Sequence, residues 1–263
     1  MRVTQAKCSN CGAILTINGK SLITVCDYCG TPFFLEQAGE KSDFVVRGGI
    51  LEQYNGTSLD VVIPDEVSRI GKNVFRGMNI QSVVLAPNVT FIDEGAFCDC
   101  RSLVSVTFSE RLQEINSAAF AQCGLVELRI PGGVKIGPGA FNECSQLSTV
   151  VIENGVTSIG ECAFRNCRKL SSIKLPESIE NSIYGIQVDA FMGCCKLEYV
   201  QLPESLSEDI IHFGFFDTPW YKKRDQIKKA SAYRKAGRCQ YCGGEFSGIF
   251  SKKCSQCKRP KDY

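Results

Sequence analysis

Residues 159–176 read IGECAFRNCRKLSSIKLP, and the fold follows from how often the chain repeats this stretch. The phrase Ile-Gly-x-x-Ala-Phe-x-x-Cys recurs from residue 70 onward. It runs from Ile70-Gly71 to Phe75, from Ile92 to Phe97 with Cys100, and from Ile115 to Phe120 with Cys123. It returns from Ile136-Gly137 to Phe141 with Cys144, and from Val188 to Phe191 with Cys194. Counting the quoted copy, successive Phe residues stand 22, 23, 21, 23 and 27 positions apart. A second phrase, Leu-x-x-Val-x-Leu-Pro, follows each Cys. Its copies are Leu103 to Phe108, Leu125 to Pro131, Leu147 to Ile152, Leu170 to Pro176 and Leu197 to Pro203, with degenerate copies at Ser58 to Pro64 and Ile80 to Leu85.

Alternation with period two predicts one strand per repeat, its Leu, Val and Leu/Ile side chains turned inward. The closing proline and Gly-rich loop end that strand. A fixed period near 23 residues marks a solenoid, because no single repeat covers its own apolar face and about seven must stack into a parallel sheet. The Ala-Phe pair is expected to close the core from the convex side on a short helical or 3₁₀ turn, giving an α/β repeat. Cys100, Cys123, Cys144, Cys167 and Cys194 share one repeated position and read as a ladder of small buried thiols. Cys98, Cys162 and Cys195 fall outside that register.

The repeated stretch, roughly residues 42–219, resembles the BspA-like leucine-rich repeats, whose units carry this signature. The resemblance implies a leucine-rich-repeat solenoid with its parallel sheet on the concave face. Phe44 to Asp65 looks like that family's N-terminal cap and Phe215 to Trp220 like its C-terminal cap, while an insertion around Asn181 to Ile186 interrupts the sixth repeat. Members are often secreted surface adhesins. Here the first fifteen residues hold two cysteines where a secretory signal places its apolar stretch, and no run approaches the roughly 18 apolar residues needed to cross a bilayer. The expectation is a cytoplasmic protein without a membrane segment.

Eight of the sixteen cysteines form four Cys-x-x-Cys pairs near the chain ends, which is metal-ligand spacing and not a disulfide framework. Cys8 and Cys11, followed after fourteen residues by Cys26 and Cys29, read as a four-cysteine zinc ribbon. Gly12 and Gly30 let the backbone curl under the sulfurs, and Ile14, Leu15, Ile17 and Leu22 to Val25 are expected to form a hairpin between the two knuckles. Cys239 and Cys242, then after eleven residues Cys254 and Cys257, repeat the pattern. Four thiolates leave no open position for water, so two structural zinc ions are expected; iron would satisfy the same sulfurs. Both segments resemble zinc-ribbon modules, over residues 6–35 and 237–259, which implies binding or scaffolding.

Charge divides the chain. Residues 221–263 hold 13 Lys+Arg against 3 Asp+Glu, while the preceding 220 residues hold 17 against 25. Residues 218–236 read as a helix, with Thr218 as cap, Pro219 at the first position and Gly237 to end it. Lys222, Lys223, Arg224, Lys228, Lys229 and Arg238, with Lys252 and Lys253 on the adjoining ribbon, could neutralise a phosphate backbone, so a nucleic acid is the alternative partner. Trp220, Tyr221, Tyr233 and Tyr241 could stack on bases, but are expected to anchor this helix to the last turn of the solenoid. The single histidine, His212, reads as structural.

The outward strand positions can be taken from the repeat. One column is Val62, Val84, Thr107, Arg129, Val151, Lys174 and Gln201, and its neighbour is Asp60, Ser82, Ser105, Glu127, Thr149, Ser172 and Tyr199. Val104, Val126 and Val151 supply an apolar strip that Glu127, Arg129, Lys174 and Tyr199 edge with polar groups, the pattern of a protein-binding surface. No nucleotide loop, nucleophile elbow or repeated carboxylate pair is present, so the expected activity is non-catalytic protein binding. The expected domains are a ribbon at 1–38, the solenoid at 39–219 and a basic connector with second ribbon at 220–263.

Overall fold

The computed structural model describes residues 42–236, 238, 243–247 and 253–257, together with the backbone of four strands in the first 34 residues. The chain forms two compact units, Met1–Asp43 and Phe44–Tyr263. In the first, β1 (Thr4–Lys7) pairs antiparallel with β2 (Ile14–Ile17), and β3 (Ile23–Val25) pairs antiparallel with β4 (Pro32–Phe34).

The second unit opens with a hairpin, β5 (Phe44–Arg47) and β6 (Ile50–Tyr54), and then coils. The following strands are β7 (Asp60–Val62), β8 (Arg69–Ile70), β9 (Ser82–Val84), β10 (Phe91–Ile92), β11 (Ser105–Thr107), β12 (Glu114–Ile115), β13 (Glu127–Ile130), β14 (Lys135–Ile136), β15 (Thr149–Ile152), β16 (Ser172–Lys174) and β17 (Tyr199–Gln201). Two helices follow, α1 (Glu208–Phe215) and α2 (Pro219–Lys235), then the short antiparallel pair β18 (Phe246–Ser247) and β19 (Lys253–Cys254).

Every coil contributes one strand of the Leu-x-x-Val-x-Leu phrase to a parallel face, as expected. That face is two ladders, β7-β9-β11 and β13-β15-β16-β17. Between β11 and β13 only the Val126 N–H reaches back, to Val104 O at 3.3 Å. At the break Phe108 takes the core position that Leu85, Ile130 or Leu175 holds in other coils, and its ring meets Phe120 edge-on at 5.6 Å.

The Ile-Gly phrase builds a second parallel sheet that the repeat pattern did not announce. β8, β10, β12 and β14 stack behind the β5-β6 hairpin, and single bridges continue the line from Ile136 to Ile159 and Ile186. The expected helical or 3₁₀ turn is also replaced. The Ala-Phe segment is a chain of tight turns, so the coils contain no helix and the architecture is a β-solenoid with its two helices confined to the C-terminal end.

The turns have a fixed construction. Residues two before and two after each Phe adopt positive φ in all six coils, for example Gly95 and Asp99 around Phe97 (64° and 63°) and Cys162 and Asn166 around Phe164 (54° and 60°). Non-glycine residues in this region cost on the order of 1 kcal/mol each. The return is a ladder in one direction: the N–H groups of Gly95, Phe97 and Asp99 donate to Ser117, Ala119 and Ala121 of the next coil at 2.7–3.0 Å, and every coil repeats the step. The last coil has no successor. Asp189 and Phe191 donate instead to Phe213 and Gly214, carbonyls in the final turn of α1, which a helix leaves without internal partners.

Inside, the Phe rings form a column. Phe75, Phe97, Phe120, Phe141, Phe164, Phe191 and Phe215 stack with centroids 4.5–5.5 Å apart and planes within 10°. Tyr54 starts the column and Trp220 closes it edge-on against Phe215. The five ladder cysteines are buried as expected, and each thiol donates to the Phe carbonyl of the previous coil, from Cys100 to Phe75 O (2.9 Å) through Cys194 to Phe164 O (3.1 Å).

Candidate functional site

The strand register fixes the outward columns. Val62 pairs with Val84 and Val84 with Thr107; Arg129, Val151, Lys174 and Gln201 continue the row after the break. Glu127, Thr149, Ser172 and Tyr199 form the neighbouring row. Val104 and Val126 stand one position earlier on adjacent coils. Five valines of this face are open to solvent, from 41% at Val84 to 67% at Val62, and Tyr199 is 71% exposed. Arg129 sits in their midst and binds Glu110 at 2.9 Å and Glu153 at 2.6 Å on the strand-exit loops of two flanking coils. Below it, Lys174, Glu198, Tyr199, Gln201 and Trp220 surround a trough of about 390 Å³. The seven residues expected to bind a partner, Val104, Val126, Glu127, Arg129, Val151, Lys174 and Tyr199, are therefore all exposed on this one face.

Of the eight expected zinc ligands, Cys8, Cys11, Cys26, Cys29, Cys239 and Cys242 lie outside the described residues. Their surroundings are informative. Pairs Lys7↔Ile14 and Val25↔Pro32 close hairpins whose six-residue connections carry Cys8/Cys11 and Cys26/Cys29. The expected hairpin between the two cysteine pairs is corrected, since β2 and β3 pair with β1 and β4 and not with each other. In the second cysteine-rich segment, Gly243, directly after Cys242, takes φ +72°. The buried Cys254 lies against Gly244, where a Cβ would stand 2.9 Å from its Sγ, and Cys257 is exposed. Among the described residues no three His, Cys, Asp or Glu side chains form a metal-holding group.

The basic connector is the expected helix: Pro219 opens α2, and Thr218 accepts from the Tyr221 N–H at 3.2 Å. Gly237 lies outside the described residues. Trp220 and Tyr221 pack against the solenoid core, but the Tyr233 ring lies against Gly243 instead, and Tyr241 lies outside the described residues. The sequence pattern did not announce α1, and its Glu208 gathers the connector's charge. Arg224 grips that carboxylate with both terminal nitrogens and Lys228 joins it, while Lys222 pairs with Asp217 and Lys229 with Asp225 at 2.8 and 2.7 Å. Four of the eight cations proposed for nucleic acid are so engaged; Lys223 and Arg238 are exposed, Lys252 lies outside the described residues, and of Lys253 only the backbone is described. His212, exposed on α1, hydrogen-bonds with the Tyr221 hydroxyl at 3.0 Å and touches Phe213 and Phe216. No helix among the described residues is long and apolar enough to cross a membrane.

Two known structures share the architecture. The T. pallidum Leucine Rich Repeat protein is 27% identical over 65% of this chain and 90% of its own, with a TM-score of 0.55. The pneumococcal vaccine antigen PcpA, 18% identical with a TM-score of 0.51, matches 73% of this chain, which spans 45% of the antigen's length. That likeness concerns the fold alone. No curated protein matches the sequence. The family model of the BspA type leucine rich repeat region matches in six copies, over residues 68–183 and 178–219, more than half of the chain. The chain therefore belongs to the BspA-type leucine-rich-repeat family.

Proposed function

We propose that the protein is a non-catalytic, cytoplasmic protein-interaction scaffold that works through the long-strand face, with one structural zinc ion in each terminal ribbon. The observation that carries this reading is the line of exposed valines around Arg129, with Lys174 and Tyr199 at its edge, on a sheet backed by the stacked Phe column. Solvent-facing apolar strips with polar rims mark partner surfaces, and repeat proteins present such faces as extended binding platforms. The antiparallel strand pairs whose connections carry Cys8/Cys11 and Cys26/Cys29 in the sequence, and the positive φ of Gly243, support knuckles that aim paired sulfurs at one ion. Nucleic-acid binding has less support, because acids of α1, α2 and the turn between them already answer half of the basic side chains it would use.

Val84→Asp combined with Val151→Asp tests the face. Both side chains are solvent-exposed, so the double variant should keep its stability within about 1 kcal/mol while losing partners captured by the intact chain from lysate. Unchanged capture would remove the face from the account. Binding of random-sequence DNA at low salt that weakens steeply as salt rises would favour the basic ribbon instead.

A further inference from the structure

One coil is a residue short. Cys100, Cys144, Cys167 and Cys194 are each followed three positions later by the core leucine, but Cys123 is followed by Gly124 and then directly by Leu125. Neighbouring coils project two side chains at this strand-entrance flank, Arg101 and Ser102, Ser145 and Gln146, Arg168 and Lys169. The short coil projects none, and a Cβ on Gly124 would run into the Arg101 carbonyl. The result is an open notch of about 500 Å³ floored by Gly124, with Arg101 on one side and Ser145, Gln146 and Arg168 on the other.

Its chemistry is that of an anion receptor. Arg168 has no ion-pair partner among the described residues, and Arg101 commits its Nε–H to Asp99 at 2.7 Å. Glu143, the acid lining the notch, accepts from the Gln122 amide at 3.0 Å. Lys196 and Lys169 extend the positive flank, the latter bonded to Gln146 at 2.6 Å. Guanidinium groups present paired N–H donors that match carboxylate oxygens. The volume falls in the range of roughly 300–1,000 Å³ typical of sites for organic ligands, far more than one small ion would fill.

We infer that this notch binds an acidic peptide segment of a partner protein, whose carboxylates meet Arg101 at one end of the notch and Arg168 at the other. The site lies off the valine-lined face, so it is tested without it. Calorimetric titration of the full chain with an N-acetylated hexaglutamate peptide, and separately with inorganic phosphate, distinguishes the two sources of oxyanion. The peptide should bind the intact chain, and roughly tenfold more weakly to Arg101→Ala and to Arg168→Ala, the loss of a charge-assisted hydrogen bond. Lys135→Ala, on the short-strand sheet, should bind as the parent does. Inserting a serine between Gly124 and Leu125 restores the spacing of the other coils and should abolish binding, with circular dichroism confirming the fold. Absence of peptide binding, binding by both arginine variants equal to that of the parent, or binding of phosphate but not of the peptide would each overturn the assignment.

Discussion

Phe141 has a ring on either side, 5.5 Å from Phe120 and 5.3 Å from Phe164, and no exposed surface. A coil cannot close over the gap its removal leaves, because the one-directional backbone ladder fixes the spacing of its neighbours. Phe141→Ala should therefore cost about 3–5 kcal/mol, measured by chemical denaturation. Beside the rings, burial pushes the Cys100 thiol up to about 11 and the Cys144 thiol up to about 12, and raises Cys123 and Cys167 as well. A raised pKa favours the protonated, folded form. This contribution is fully present below a thiol's ordinary value of 9.0 and is lost as pH climbs through 11–12, so stability should fall over that alkaline window. In the native protein at pH 8, thiol reagents should label exposed Cys195 and spare the ladder. The Phe and Cys positions were legible because they recur at one register. The positive-φ positions were legible only in part: Gly, Asn or Asp stands at eight of the twelve, but Ala118, Gln122, Glu143 and Cys162 fill the rest, residue types that carry no left-handed signal.

At the level of elements, α1 ends the stack by offering its unpaired carbonyls, and α2 is held to it by Glu208. Hydrogen bonds from Arg224 and then Lys228 hold that carboxylate down at about 2. A lowered acid stabilises above its ordinary 4.5 and ceases to do so as pH falls toward 2, so the clasp should open across that interval. Trp220, the chain's single tryptophan, lies between Phe215 and the Arg224 guanidinium and reports the event. Its fluorescence should shift as pH drops below 4.5, and Glu208→Gln should give the shifted signal already at neutral pH. An unchanged spectrum in that variant would show that packing alone seats the helix. Sequence found α2 through Thr218 and Pro219 but missed α1, eight residues with a glycine in the last turn and no capping hydrogen bond from Ser207. The two-residue strands β8, β10, β12 and β14 were equally invisible, since alternation needs a longer run to show.

Over the whole chain, a β-solenoid built of local coils lies between two cysteine-rich segments that are too small to fold on apolar burial alone. Elemental analysis should return two zinc ions per colourless chain, and chelation should melt the terminal segments while the solenoid's β signal persists. A red protein would carry iron. The outward columns were readable in the sequence because register converts spacing directly into rows: Arg129, Val151 and Lys174 fell in line as counted. The notch was not, for a single missing residue beside Gly124 disappears within a tolerant repeat.

The working surface is tested most directly by site-specific photo-crosslinking in lysate. A photoreactive residue at Val126, in the valine line, is predicted to capture a protein partner that excess unlabelled chain competes away, whereas the same residue at Lys135, exposed on the short-strand sheet, captures none. Equal capture from both positions, or none from Val126, would contradict the account.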